Sequence, residues 1–389
     1  MQLNQYYTDN IYSDFLVESI NDISPNHAID LGFGAGSLLH AAKKRWGNVK
    51  LIGVDIDERN VESANKGTSI QAFKYDGFKA DLPLVIKDSY GEVDLLISNP
   101  PYFMRDLDSE ARSILKEARL LGCISHRTKK IPAEVIFLAQ NLRLLHPEGE
   151  LGIILPSGII NGERWKTLRA FLFTEFNVTS IIQLPSGSFR RTDAQTFMLV
   201  INRKKPLFKN SIHLTHVDYL DGINVSLDEA INRADYSYDH SYSSCHQKKI
   251  IISENDFCLI RGNSSHSQLK EISDNYIHTT TMPNYPSRLS LSDFTLEGAK
   301  QARKNDILVA RVGKRCVGRV SCVGKGSLPV SDCIIIIRPT CDRSAELIWE
   351  KMSTVHAKED LINLSLGVGS SYLTHSIIKD YLTYVPSSK

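Results

Sequence analysis

Asn99-Pro100-Pro101-Tyr102 brings an amide, two rigid imino acids and a phenol together within four residues. Asn99 offers a side-chain carbonyl, and Pro100 offers a backbone carbonyl on a chain with little conformational freedom. Two acceptors drawing on one NH2 group pull its lone pair out of conjugation and make the nitrogen nucleophilic. Tyr102 supplies a face on which a planar ring can stack. These residue types suit the activation of an exocyclic amine on a flat, nitrogen-bearing substrate. The plainer alternative is a strand-to-turn junction in which prolines end the pairing.

The elements that must position this tetrapeptide are legible around it. An apolar run, Val93-Asp94-Leu95-Leu96-Ile97, reads as a buried strand. The tetrapeptide therefore sits at a strand's carboxyl end, the edge where ligands bind in open α/β sheets. Strand patterns at 28–31, 49–54, 70–73 and 93–97 alternate with helix patterns at 37–46 and 58–65. Residues 132–145 repeat apolar side chains at helical spacing, with Pro132 in the first turn. A strand at 149–155 and a helix at 164–173 follow. Strands at 178–184 and 196–202 are expected to close the block as an antiparallel edge. This alternation is the signature of a mostly parallel, doubly wound sheet with crossover helices.

Three of these strands end in residues suited to one ligand. Asp30-Leu31-Gly32-Phe33-Gly34-Ala35-Gly36 follows the first, and its glycines let backbone approach a ligand and free the N–H groups of the next helix. The second ends in Val54-Asp55-Ile56-Asp57, where Asp55 can accept both hydroxyls of a ribose. The third is followed by Tyr75-Asp76-Gly77-Phe78, where Asp76 can accept from an adenine amine and Phe78 can wall the ring. Together they describe an adenosine-bearing ligand. The alternative is three ordinary strand-to-helix loops, where acids and glycines are common cap and turn residues.

In these motifs the chain resembles the adenine-specific DNA methyltransferases of restriction-modification systems. More narrowly it resembles the gamma class, in which cofactor motifs come first, the catalytic motif next and a target-recognition domain last. The resemblance implies a class I S-adenosylmethionine-dependent methyltransferase fold and S-adenosylmethionine as cofactor. Tyr7 and Thr8 resemble the motif that closes over the methionine part of the cofactor, with Asp9 where the family usually has proline. Asp30, Gly32, Gly34 and Gly36 match the cofactor loop, Asp55 with Ile56 the ribose site, and Asp76 with Gly77 the adenine site. Asn99, Pro100, Pro101 and Tyr102 match the catalytic tetrapeptide, and Asn99 also borders the cofactor. Phe189 matches an aromatic that packs against the flipped base, or else is a core residue. The implied reaction turns an adenine out of the duplex and lets its N6 attack the sulfonium methyl. No metal is expected.

The second half changes character. Residues 206–249 read as a connector, with the polar run 235–244 as their clearest part. Short β-rich runs at 307–312, 317–323 and 333–337 begin a mixed α+β domain over 250–389, after a catalytic domain over 1–205. Asp306-Ile307-Leu308-Val309-Ala310-Arg311-Val312-Gly313, with Gly367-Val368-Gly369 and Tyr384-Val385-Pro386, is similar to target-recognition domains. Residues 300–325 carry eight basic side chains and one acid, Asp306. The resemblance makes that run a phosphate-contacting face, with Arg311, Lys314, Arg315 and Arg319 as DNA-binding candidates.

Composition sets outer bounds. The chain has 389 residues, 42% hydrophobic and 23% charged, with a net charge of +2, so total charge does not announce a nucleic-acid binder. Its seven cysteines form no CxxC and no zinc spacing. Residues 1–10 are polar and no apolar run approaches a membrane span, so a cytoplasmic protein is expected. Double-stranded DNA is the expected partner, with a restriction endonuclease or specificity subunit as a candidate second one. Competing readings are a methyltransferase acting on a protein glutamine or on ribosomal RNA through the same tetrapeptide, and a catalytically inactive DNA-specificity protein.

Overall fold

The computed structural model describes residues 10–383 apart from 22, 68, 186, 190–194, 206–209, 220, 245–249, 251, 314 and 368–369. The chain divides into two compact units, Met1–Tyr236 and Ser237–Lys389. Among the described residues no helix is long and apolar enough to cross a membrane.

The first unit opens with α1 (Asn10–Glu18), β1 (His27–Leu31), α2 (Ser37–Arg45), β2 (Lys50–Asp55), α3 (Glu58–Gly67), β3 (Ile70–Lys74), α4 (Leu82–Tyr90) and β4 (Val93–Ser98). A small hairpin, β5 (Met104–Asp106) and β6 (Lys130–Pro132), brackets α5 (Ser109–Glu117). Then come α6 (Ala133–Leu144), β7 (Leu145–Pro156), α7 (Ser157–Asn161), α8 (Lys166–Glu175), β8 (Asn177–Gln183) and β9 (Thr196–Asn202). The unit closes with β10 (Ser211–His216), β11 (Ile223–Ser226), α9 (Leu227–Asn232) and the start of α10 (Tyr236–Ser244).

One nine-stranded sheet runs in the order β11-β10-β8-β9-β7-β4-β1-β2-β3. From β7 to β3 the neighbours are parallel. Adjacent residues of a strand point to opposite faces, and the two faces feed separate cores. Ile29, Leu31, Ile52 and Leu96 join the helices α4, α5, α6 and α8. Ala28, Leu51, Leu95 and Ile97 join α1, α2 and α3. Each fully buried aliphatic side chain stabilises the fold by about 1.5–3 kcal/mol. These strands are thus apolar on both faces, which is why they read as continuous hydrophobic runs.

Two expectations are corrected. The pair β8 and β9 is antiparallel, yet β9 lies between β7 and β8, and the sheet continues through β10 and β11. The segment expected as a connector therefore supplies two strands and a helix. Ile212, Leu214 and Val225 are buried, but polar residues alternate with them, so the strands are short and weakly apolar in sequence. Residues 235–244 are mostly helical, as α10.

The second unit holds β12 (Phe257–Arg261), α11 (His266–Ile272), β13 (Ser287–Asp293), β14 (Gln301–Ala302), β15 (Ile307–Ala310), β16 (Val320–Pro329) and β17 (Ile334–Pro339). Helices α12 (Asp342–Met352), α13 (Val355–Leu364) and α14 (His375–Thr383) follow. The sheet order is β12-β17-β15-β16-β13, with β14 on β16. Ile307, Val309 and Ile335 face the three helices, and Leu308, Ala310 and Ile336 face the other core. This is the mixed α+β architecture expected from the sequence.

The lone acid of the basic run has a structural task. Asp306 is 1% exposed and takes a forked pair of hydrogen bonds from Arg338 at 2.9 and 2.8 Å. It also accepts from the Arg303 backbone N–H at 2.9 Å. Removing one partner of a buried pair strands the other charge. Asp306→Ala is expected to lower the stability of the second unit by about 3–5 kcal/mol, read as an earlier denaturant midpoint. A loss under about 1 kcal/mol, the worth of an exposed pair, would contradict this assignment.

Candidate active site

The chain steps outward from β1 through β2 to β3, then returns to lay β4 on the other side of β1. That reversal opens a crevice at the carboxyl ends of β1 and β4. The hydroxyl of Ser98, the last residue of β4, donates to the Leu31 carbonyl at 3.3 Å and ties the two strand ends together.

After β1 the chain turns through Gly32, Gly34 and Gly36, whose φ values of 76°, 56° and 81° lie in the left-handed region that side chains disfavour. Gly36 enters α2 with no side-chain cap, leaving the helix's first N–H groups to be satisfied otherwise. Asp55, 5% exposed at the end of β2, accepts from the Gly34 N–H at 2.9 Å, the Asp57 N–H at 2.8 Å and the Asn60 amide at 3.1 Å. It thereby fixes the glycine turn to β2 while its two oxygens keep further acceptor capacity. Asp30 is buried, and its Oδ1 has no hydrogen-bond partner. Burial, and then the charge of Asp55, push its carboxyl well above the usual range. Such an oxygen suits a cationic ligand.

Beyond β3, Asp76 Oδ1 accepts from the Phe78 N–H at 2.9 Å. Gly77 lies against the Phe137 ring of α6; a Cβ there would fall 2.7 Å from the ring's Cζ. The same ring underlies Gly32, where a Cβ would stand 3.4 Å away. Gln140, one turn on, donates to the carbonyls of Gly77 and Lys79 at 3.0 and 2.7 Å. Ile56 and Asp76 line an open cleft of about 680 Å³ with Lys74, Tyr75 and Lys79. Phe78 is half-buried. It meets Phe137 edge-on, and the Arg105 guanidinium lies 4.2 Å above its ring.

At the end of β4, Pro100 is buried and Asn99, Pro101 and Tyr102 are half-buried. The Tyr102 hydroxyl lies 2.7 Å from Asn99 Oδ1 and 3.2 Å from the Ile154 carbonyl of β7. It thus holds the Asn99 amide, in addition to presenting a ring. The carbonyl of Phe103 accepts from the Ala133 N–H at 2.9 Å, so α6 starts against the residue that follows the tetrapeptide.

Not every expected residue joins this site. Tyr7 and Thr8 lie outside the described residues, as do Lys314, Val368, Gly369 and 384–386. Phe189 is 2% exposed and packs in the core beside the Tyr12 ring, 6.2 Å between centroids. A ring enclosed in that way has no face for a base, so its expected stacking role is corrected to a packing role. In the second unit, Arg311 is half-buried and Arg315 exposed. Arg319 turns inward and donates to the carbonyls of Thr279, Met282 and Arg315 at 3.3, 3.0 and 3.1 Å, so it clamps a loop and is not a base reader.

Sequence reasoning missed what α6 contributes. Its burial extends nearly all round, which reads as core, and Phe137 is indistinguishable from its apolar neighbours. The available signal was polar: Glu134, Gln140 and Asn141 are buried within that run. Glu134 Oε2 has no partner, and burial pushes the carboxyl up to about 7, against a smaller pull from its own backbone N–H.

A family model described as N-6 DNA Methylase matches residues 2–238. Type II methyltransferase M.CvrRI of Paramecium bursaria Chlorella virus XZ-6E is 24% identical over 203 residues, 52% of this chain and 49% of that protein. The tRNA1(Val) (adenine(37)-N6)-methyltransferase of Porphyromonas gingivalis is 26% identical over 161 residues, 40% of this chain and 58% of that one. The type IIG restriction endonuclease BpuSI shares the fold at 13% identity and a TM-score of 0.52, over 97% of this chain and 57% of its own. The chain thus spans about half the length of these two relatives.

The Glu134 carboxyl yields a signed prediction. Its folded value lies above the ordinary 4.5, so between about pH 4.5 and about 7 the folded chain keeps a proton that the unfolded chain has lost. The associated stability is complete below the lower value and lost as pH rises through the upper one, by roughly 3 kcal/mol in all. Relative to the parent, Glu134→Gln is expected to gain stability between pH 4.5 and pH 8 in denaturant unfolding. A parent-to-variant difference that does not change with pH would contradict it.

Proposed function

The chain belongs to the N-6 DNA Methylase family, and from that premise we propose that it methylates the exocyclic N6 of an adenine turned out of a specific duplex DNA sequence. As a member of that family it is a methyltransferase, and its cofactor is S-adenosylmethionine. The observation that carries the finer reading is the junction of two things at one strand edge. The Asn99-Pro100 acceptor pair, with Asn99 held by Tyr102, follows a strand end tied to that of β1, where Asp30 precedes a glycine turn fixed by Asp55.

The residues fit the cofactor. Asp30 suits its ammonium through a buried, partnerless oxygen. Asp55 suits the ribose diol, Asp76 and the Gly77 N–H the adenine edge, and Ile56 a ring face. When bound, the cofactor supplies an electrophilic methyl group on a sulfonium.

The chain's own residues do the rest. Asn99 Oδ1 and the Pro100 carbonyl accept the two hydrogens of the substrate amine, which localises the lone pair on N6. Tyr102 keeps the Asn99 amide in that orientation and stacks on the base, worth about 1–3 kcal/mol per base. With Phe189 in the core, stacking falls to Tyr102 in this proposal. Alignment of amine and methyl supplies much of the rate. After transfer N6 sheds one proton to water, so no strong base is required. The second unit is proposed to recognise the DNA target, with Arg311 and Arg315 among its contacts. A restriction endonuclease or specificity subunit acting alongside belongs to the same proposal.

The name of the Porphyromonas relative supports a second reading, an adenine in RNA. Purified protein with cofactor, given duplex DNA, tRNA and ribosomal RNA, separates the two by nucleoside mass spectrometry. N6-methyladenine is expected in DNA alone, and its appearance only in RNA would overturn the DNA assignment. Asn99→Ala is expected to abolish product while cofactor affinity stays within about threefold; retained turnover would remove Asn99 from its role. Tyr102→Phe keeps the ring and loses the hydroxyl. It should lower kcat roughly 10-fold, about 1.4 kcal/mol, with little change in cofactor KM. An unchanged kcat would dismiss the Tyr102–Asn99 bond as a catalytic aid.

A further inference from the structure

The second unit gathers cationic side chains that are far apart in sequence. Arg261 ends β12, Arg311 directly follows β15, and His375 begins α14. Backbone pairing fixes their approach. The Arg311 N–H donates to the Cys333 carbonyl at 2.8 Å, and the Arg311 carbonyl accepts from Leu373 N–H at 2.8 Å. Gly313 N–H donates to the Ser371 carbonyl at 3.0 Å, and Val312 bridges to Tyr372. The Arg311 guanidinium stands 5.9 Å from the centre of the Tyr372 ring, itself 37% exposed.

These groups feel one another. Burial, then the charge of Arg261, lowers the Arg311 guanidinium from its usual value. Burial, then Arg261 and Arg311, makes His375 harder to protonate. The carboxylate facing the cluster is Asp332, 3.5 Å from Arg261 Nη2, and the neighbouring Cys333 thiol is pushed up by burial and stays neutral. Positive charge is therefore concentrated and only partly balanced. The arrangement is open, since Arg261 and His375 are exposed. An enclosed cradle would suit a small anion; an open row of cations beside an aromatic ring suits a polymer backbone.

We propose that Arg261, Arg311 and His375, buttressed by Tyr372, form a phosphate-contact site for duplex DNA on the second unit. The site rests on the reading of DNA as the substrate, and it differs from the linear basic run, two of whose members, Lys314 and Arg319, are respectively undescribed and turned inward. A phosphate beside His375 favours its protonated form, so binding takes up a proton there. The groups facing His375 are Arg261 and Arg311, with Tyr372 and Asp332 at the cluster's margin. DNA affinity consequently rises as pH falls through the ordinary histidine range.

The test uses the full chain and a fluorescent duplex of mixed sequence, without cofactor. Arg261→Ala and Arg311→Ala should each reduce the slope of log K against log salt by about one. His375→Gln should remove the pH dependence of affinity and leave the slope at pH 8 unaltered. Arg343→Ala, an exposed cation of α12, is the control with no effect. Unchanged slopes in variants of normal circular dichroism overturn the proposal, and exposed Arg261 decides the matter alone if Arg311→Ala does not fold. If the same slope changes appear with duplex RNA and the parent does not bind DNA, the DNA commitment falls. A parent that binds DNA with these slopes yet methylates nothing leaves the site standing and sinks the enzymatic reading.

Discussion

One helix holds the candidate active site together. The Phe137 ring of α6 is the surface against which the turns after β1 and β3 both rest. Gln140 pins the second of those turns by its carbonyls, and the first residue of α6 is bonded to the residue that follows the tetrapeptide. The glycine turn, the turn after β3 and the tetrapeptide loop are therefore not independent attachments to the sheet. They are registered to each other through about two turns of buried helix, Ala133 to Gln140, so an error in seating α6 displaces them all at once. Alignment-dependent chemistry tolerates little of this, since small misplacements of reacting atoms cost large factors in rate.

The electrostatics follow from that burial. Asp30 and Glu134 both place a carboxylate oxygen where no hydrogen bond reaches it, and both are held toward the protonated form. Unpartnered buried carboxyls are expensive, and they persist where a ligand or a transient charge can use them. Asp55 has the opposite character, buried but satisfied three times over, and it serves the shape of the glycine turn. These buried acids thus divide into one that fixes the glycine turn and two that each keep an oxygen without a hydrogen bond.

Much of this was readable in the chain. The strand-to-helix alternation gave the parallel sheet because its strands are apolar on both faces, and the glycines and acids fall at successive strand ends of that sheet. What could not be read follows physical rules as well. Strands β10 and β11 alternate apolar with polar residues over four to six positions, too short a period-two signal to stand out. Phe189 and Phe137 have the same composition signal and both are buried, yet one packs beside Tyr12 and the other under Gly32 and Gly77; only the packing distinguishes them. Arg319 and Arg311 sit in one basic run, and the fold turns one inward and the other toward Tyr372. The convergence of Arg261 and His375 on that spot is a property of the sheet order and has no local motif.

The registration by α6 can be probed at a single carbon atom. Gly77→Ala adds a methyl group 2.7 Å from Phe137 Cζ, closer than side chains pack, so the ring or the turn must move. Calorimetric titration of S-adenosylmethionine into this variant measures the consequence directly. Affinity is expected to fall at least 10-fold in a protein that still folds, with partial recovery when Phe137→Leu is added. Parent-like affinity in the single variant would contradict the claim that this helix sets the site.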